Sequence, residues 1–167
     1  EIITDIVREF EPEWTRRHLW NRSYAEARVP NVPTMLLELL SHQNFADMRY
    51  GLDPTFRFTV SRSIYKGMLK FLATQYNRSY VVQPLPVKDF HAQFLGETEV
   101  ELTWQPTEDM SEPSAIPTKY IVYTRVNGKG FDNGVITESN RYQTQITKGD
   151  IYSFKIVAVN DGGKSFP

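Results

Sequence analysis

Ile151-Tyr152-Ser153-Phe154-Lys155-Ile156-Val157-Ala158-Val159-Asn160, followed at once by Asp161-Gly162-Gly163, decides the fold of the C-terminal half of this chain. The run is rich in β-branched and aromatic residues and stops at a turn signal, so it reads as a strand. Upstream, Tyr120, Val122, Thr124 and Val126 alternate with other residues, and Val100, Leu102 and Trp104 alternate with Glu99, Glu101 and Thr103. Tyr142, Gln143 and Ile146 mark a further strand, and Val87, Phe90, Ala92 and Phe94 a first, less regular one. Asn127-Gly128 and Asn133-Gly134 are hairpin turn signals. Short strands of period two at this spacing predict an all-β sandwich.

The N-terminal half has a different rhythm. Ile2, Ile3, Ile6, Val7 and Phe10 recur at helical spacing, and a second short helix is expected over Glu13 to Trp20 after Pro12. Asn21 to Val32 reads as loop with a short extended piece at Tyr24–Ala27. Pro33-Thr34-Met35-Leu36-Leu37-Glu38 opens an apolar run, and Thr34–Leu39 is expected to be a fully buried strand. Such a strand needs neighbours on both faces. Three sources are open: the N-terminal part of a parent domain, a second copy through the exposed strand, or the sandwich. Asp53-Pro54 is a strong helix start, Asp as N-cap and Pro at the first position. The helix after it carries Phe56, Val60, Ile64, Met68, Phe71 and Leu72 on one face, read as core. Residues 1–76 are taken as one domain, 77–84 as a linker and 85–167 as a second domain.

Composition sets bounds. A length of 167 residues allows one or two domains, and a formal net charge of −1 argues for neither nucleic acid nor an anionic membrane as partner. With no Cys there are no disulfides, no thiolate catalysis and no Cys-based metal site. No apolar run reaches the ~18–20 residues of a membrane span. The chain opens inside a helical pattern, so no signal peptide is expected and Glu1 is read as a processing boundary.

Two resemblances follow from these residues. Pro33-x-x-Leu36-x-Glu38 with Asn44 downstream, Arg28 upstream and the helix through Ser63–Leu72 resembles the end of the zinc-dependent N-acetylmuramoyl-L-alanine amidases. Leu39, Leu40 and Ser41 depart from that family's Thr-Gly-Phe, and Gln43-Asn44 stands in for Ser-Asn. The resemblance covers about residues 1–76. It implies that Glu38 is catalytic, polarising or deprotonating a zinc-bound water, with Arg28, His42 and Asn44 as substrate-binding residues. The family's zinc ligands would lie upstream, so no metal ligand is assigned here; zinc is expected only in an intact parent, and this chain alone is expected to be inactive. The competing reading makes Glu38 a structural carboxylate that caps a turn or pairs with Arg28 or Arg49. His42 reads equally as a surface loop residue.

Ile146-x-x-Gly149-x-x-Tyr152-x-Phe154-x-Ile156-x-Ala158-x-Asn160-x-x-Gly163-x-Ser165, with Trp104 and Tyr120-x-Val122-x-Thr124, resembles a fibronectin type III domain over about residues 84–167. Lys148 replaces that family's Pro. The resemblance implies a seven-stranded sandwich with Trp104 and the corner tyrosine, Tyr152, buried. The fold class expected for the whole chain is therefore α+β in two parts, an α/β amidase-like fragment and an all-β fibronectin type III, immunoglobulin-like sandwich.

Other motifs are set against their plain readings. Lys148-Gly149-Asp150 looks like an adhesion tripeptide but falls where a structural turn belongs. Asn21-Arg22-Ser23 and Asn77-Arg78-Ser79 match the glycosylation acceptor pattern and are read as chance. Glu108, Asp109 and Glu112 read as a solvated loop rather than a calcium site. Tyr123, Phe131 and Tyr142 could form a sugar-stacking platform, against a packed core or ordinary surface. The expected parent is an exported bacterial cell-envelope protein, secreted, periplasmic or at the cell surface, acting on peptidoglycan or another glycan. The alternative is a non-catalytic spacer or carbohydrate- or protein-binding module in a large secreted polysaccharide-acting protein, such as those labelled xanthan lyase.

Overall fold

The computed structural model describes residues 1–21 and 23–167, which form two compact units, Glu1–Met68 and Leu69–Pro167. The acceptor pattern Asn21-Arg22-Ser23 includes Arg22, which lies outside the described residues.

The first unit contains helices α1 (Ile2–Glu9), α2 (Ala25–Arg28), α3 (Phe45–Leu52) and the start of α4 (Pro54–Tyr76). The Asp53 carboxylate accepts the Thr55 N–H at 2.8 Å, the cap that the Asp-Pro pair announces. Ile6, Phe56 and Val60 form the core, with Phe10, Trp14 and Tyr50 packed around them. The rings of Phe10 and Phe56 meet edge-on at 5.2 Å.

Beside this apolar cluster lies a buried ionic one. The Lys66 ammonium sits 2.8 Å from the Asp5 carboxylate, and both side chains are withdrawn from water. Ser63 Oγ donates to the same carboxylate, and Arg8 pairs with it at 2.8 Å. The opposite charges and hydrogen bonds offset the desolvation of the ions.

Several expectations for this unit are corrected. Thr34–Leu39 is extended but unpaired, and the described residues of the unit contain no strand. Met35, Leu36 and Leu37 are 67%, 46% and 39% exposed, and only Leu39 and Leu40 reach the Ile6–Phe56 cluster. A continuous apolar run reads as a buried strand only where neighbouring strands accept its main-chain groups. The described part of residues 1–76 is thus helical rather than α/β. Glu13–Trp20 forms a turn and loop instead of a helix, and Tyr24–Ala27 leads into α2 instead of an extended piece. On α4 the buried side turns toward Thr59, Arg62, Ser63 and Lys66, leaving Met68 63% exposed and Phe71 and Leu72 exposed as well.

In the second unit, α4 ends and seven strands follow: β1 (Lys88–Phe94), β2 (Glu99–Gln105), β3 (Lys119–Val126), β4 (Val135–Thr137), β5 (Arg141–Gln145), β6 (Tyr152–Asn160) and β7 (Gly163–Lys164). They make one sheet of order β1-β2-β5 and another of order β4-β3-β6-β7, with every pairing antiparallel. Between the sheets pack Val100, Leu102, Trp104, Tyr120, Val122, Ile156 and Ala158. These are alternate residues of β2, β3 and β6, as period two requires. Trp104 is 1% exposed and meets the Tyr120 ring edge-on at 5.3 Å. Tyr152 is half-buried rather than buried; its hydroxyl oxygen accepts the Thr147 N–H at 3.0 Å and closes the β5–β6 corner. Asn127 and Gly128 both take positive φ, 52° and 70°, in the turn after β3, which explains the Asn-Gly pair there. Strand β1 is exposed along its length and carries a register shift between Lys88 and His91, with Asp89 at φ 51°. The irregularity breaks the alternation expected of Phe90, Ala92 and Phe94 and blunts an edge strand.

Residues 77–84, read from the sequence as a linker, include two buried side chains, Val82 and Pro84. Asn160 Nδ2 donates to the carbonyls of Val82 (2.9 Å), Ser114 (3.2 Å) and Ile116 (3.2 Å), while its Oδ1 accepts the Gly162 N–H at 2.8 Å. A Cβ on Gly162 would stand 2.4 Å from the Val81 carbonyl oxygen, so only glycine lets the two backbones meet.

Candidate functional site

The four residues singled out in the N-terminal half do not converge on a shared contact. Glu38 lies exposed in the extended stretch, Arg28 ends α2 in solvent, and His42 is exposed in the turn before α3. Among the described residues no hydrogen bond or ion pair joins these three. Asn44 is the N-cap of α3: its Oδ1 accepts the Ala46 N–H at 2.9 Å, so its amide carries a structural task. His18 stacks on Trp20 at 4.9 Å. Among the described residues no three His, Asp or Glu side chains group as metal ligands, so the described residues do not fit a zinc site.

The outer face of the four-stranded sheet is more organised. Tyr123 and Arg125 project from β3 on the face opposite the core, and Lys155 stands across from Tyr123 on β6. Phe131 comes from the loop between β3 and β4. Asp132 fixes that loop, its Oδ1 accepting the N–H groups of Thr124 (3.0 Å) and Gly134 (2.9 Å). The Lys155 ammonium lies 4.8 Å from the Tyr123 ring centre and 4.9 Å from that of Phe131, and the Arg125 guanidinium lies 5.1 Å from Phe131. Arg125 also donates to Ser153 Oγ at 3.1 Å. Two cations thus rest on aromatic faces rather than on carboxylates, an arrangement favoured by the ring quadrupole that leaves their charge available to an anion. Tyr142 does not join them; it lies on β5 and packs against the inner core. Phe131 was the hardest member to place from sequence, since a loop residue has no periodicity.

The remaining motifs have structural roles. In Lys148-Gly149-Asp150, Gly149 takes φ 94°, Asp150 accepts from Asn127 Nδ2 at 2.8 Å, and exposed Lys148 faces Glu97 at 3.8 Å. Glu112 is buried, not solvated: it accepts Ser114 Oγ at 2.8 Å and pairs with Lys70 at 3.3 Å. Burial pushes its carboxyl up, but the Ser114 hydrogen bond and Lys70 outweigh that, and the net shift is downward. Asp109 caps its own loop by accepting the Ser111 N–H. A separate cleft of about 410 Å³ opens at the end of the sandwich between β1 and β6, with Ala92, Phe94, Val100, Ile146, Tyr152 and Phe154 among its walls.

The three-plus-four antiparallel arrangement with a closed tyrosine corner defines an immunoglobulin-like sandwich. Residues 85–167 match the Fibronectin type III domain family, and this part of the chain is a fibronectin type III domain. No curated protein matches the chain. Among solved structures it is similar to titin kinase and its flanking domains (22% identity, 52% of this chain and 16% of that one, TM-score 0.45). It is also similar to domains d3–d4 of the rat CD45 extracellular region (12% identity, 53% and 48%, TM-score 0.45). A third is the FN3 domain of human collagen XX (16% identity, 52% and 88%, TM-score 0.40). The chain spans less than two thirds of the titin and CD45 chains. No helix among the described residues is long and apolar enough to cross a membrane.

Proposed function

We propose that residues 85–167 serve as a non-catalytic accessory module of an exported bacterial polysaccharide-acting protein, contacting an acidic glycan through the outer face of the four-stranded sheet. The observation that supports this reading is the placement of Lys155 and Arg125 against Tyr123 and Phe131. Cations supply attraction for carboxylates, and rings at the edge of such a patch offer an apolar surface to pyranose C–H groups. Affinity electrophoresis in gels containing xanthan, and co-sedimentation with peptidoglycan sacculi, test it. The chain is expected to be retarded by xanthan, and a Tyr123→Ala, Lys155→Ala double variant to migrate freely. Equal retardation of both proteins, or of neither, removes the glycan role and leaves the module a spacer.

A second reading concerns residues 1–76. The resemblance of Pro33–Glu38 to the amidase strand is supported here only by an exposed Glu38 carboxylate on an extended stretch. A parent carrying upstream zinc ligands and releasing muropeptides, with loss on Glu38→Gln, would establish it; full activity of that variant would exclude Glu38.

A further inference from the structure

The most exposed hydrogen-bonding edge of the sandwich lies beside its apolar cleft. Asn127 N–H donates to the Ile151 carbonyl, so odd-numbered residues of β6 turn their main-chain groups toward β3. Even-numbered residues turn theirs to the other side. There Ala158 accepts the Ser165 N–H at 2.8 Å and donates to Ser165 Oγ at 3.0 Å, and β7 pairs at Val159–Lys164 and Asn160–Gly163. Continuing this register sets Pro167, which has no N–H, opposite Ile156. Beyond it, among the described residues, no strand pairs with Tyr152 or Phe154 on that side. Their N–H and C=O groups border the cleft whose walls are Ala92 and Phe94 of β1 and Tyr152 and Phe154 of β6.

We propose that this edge is a strand-addition site for an extended peptide of a partner protein. The peptide would run antiparallel to β6, in the direction β7 already sets, and carry apolar residues at alternate positions. Main-chain hydrogen bonds to Tyr152 and Phe154 supply the attachment, and every second side chain enters the cleft. Two features select the ligand. The walls are hydrocarbon and aromatic, so inward positions must be apolar. The rim carries both signs, Glu97, Lys148 and Asp150, so outward positions need no net charge. The inference rests on reading the sandwich as a binding module, but it uses a different surface from the Tyr123–Lys155 face.

The test uses the whole chain, isotopically labelled, titrated with a Thr-Val repeat peptide of about six residues, the length of a short strand. Saturable amide shifts are expected at Tyr152, Phe154 and Ala92, with amide exchange at Phe154 slowed by about tenfold. The same peptide N-methylated at alternate residues should produce neither. Ala92→Trp, at an exposed position of β1, fills the cleft without entering the core and should abolish the shifts while leaving retardation by xanthan intact. The proposal is overturned by absent shifts, by shifts confined to the β4 edge, by equal binding of the N-methylated peptide, or by normal binding to Ala92→Trp. Loss of xanthan retardation with peptide binding retained would instead count against the glycan reading alone.

Discussion

Replacing Asn160 with Ala tests how the segment before β1 is held to the sandwich. Asn160 is buried, and its Nδ2, with two hydrogens, faces the carbonyls of Val82, Ser114 and Ile116 at 2.9–3.2 Å. Its Oδ1 accepts a further hydrogen bond from Gly162. Each such bond contributes on the order of 1 kcal/mol, and a buried carbonyl left unpaired costs more, so the loss should be about 2–4 kcal/mol. Hydrogen exchange at the amides of Val122 and Ile156 reads this unit separately from residues 1–68. It should accelerate by about 30-fold to about 800-fold, at 1.4 kcal/mol per factor of ten. Asn160→Asp keeps the shape but aims a carboxylate at three carbonyls. Its folded-state pKa is raised, so its damage is greatest above the usual carboxylate range and eases as pH falls. Exchange changed by less than about twofold in Asn160→Ala would refute the reasoning, because the carbonyls would then be satisfied without the side chain.

Three other perturbations follow from the same structure. Gly162→Ala should destabilise the sandwich by more than the fraction of a kcal/mol that surface changes cost, since its Cβ meets main chain rather than a movable side chain; a thermal melt at the wild-type midpoint would contradict this. Glu112 has a folded-state pKa below its ordinary value of 4.5, so its contribution is full above that value and lost as pH falls through the lower one. Melting of the second unit should therefore drop in acid, and Glu112→Gln should flatten that part of the profile; an unchanged profile would count against the Ser114 and Lys70 contacts. Lys66→Met leaves the buried Asp5 carboxylate with Arg8 and Ser63 only and should cost about 3 kcal/mol, whereas Asp5→Leu with Lys66→Met should recover most of it. Urea unfolding of the two variants gives the comparison, and a double variant no more stable than the single one would show that the cluster is not a replaceable ion pair.

The sandwich was legible because its residues are redundant signals. Val100, Leu102, Trp104, Tyr120, Val122, Ile156 and Ala158 alternate in sequence and meet in one core. The Asn127-Gly128 turn and the Tyr152 corner then fix how the strands connect. Strand β1 was less legible because a bulge at Asp89 breaks its alternation. Periodicity failed in the N-terminal half for two reasons. An apolar run such as Met35–Leu40 looks the same whether or not strands flank it. The α4 face was read from apolar residues, while the fold buries Ser63 and Lys66 against Asp5, partners that only the folded chain brings together. The residues before β1 read as a linker from their prolines, yet Pro84 and Val82 are buried because Asn160, nearly eighty positions on, reaches back to them. Of the binding platform, Tyr123 and Phe131 were visible as exposed aromatics, but the strand register that brings Lys155 between them was not.

The most direct measurement is the set of through-space proton contacts across β3 and β6 in solution, together with those of the Trp104 indole. The register gives close Hα–Hα contacts for Tyr120 with Ala158, Val122 with Ile156 and Thr124 with Phe154, and places the Trp104 ring against that of Tyr120. Those cross-peaks, with a Trp104 indole shielded from a soluble quencher, are the expected result. Cross-peaks displaced by one residue, or a Trp104 indole open to the quencher, would contradict the sandwich and every surface assigned to it.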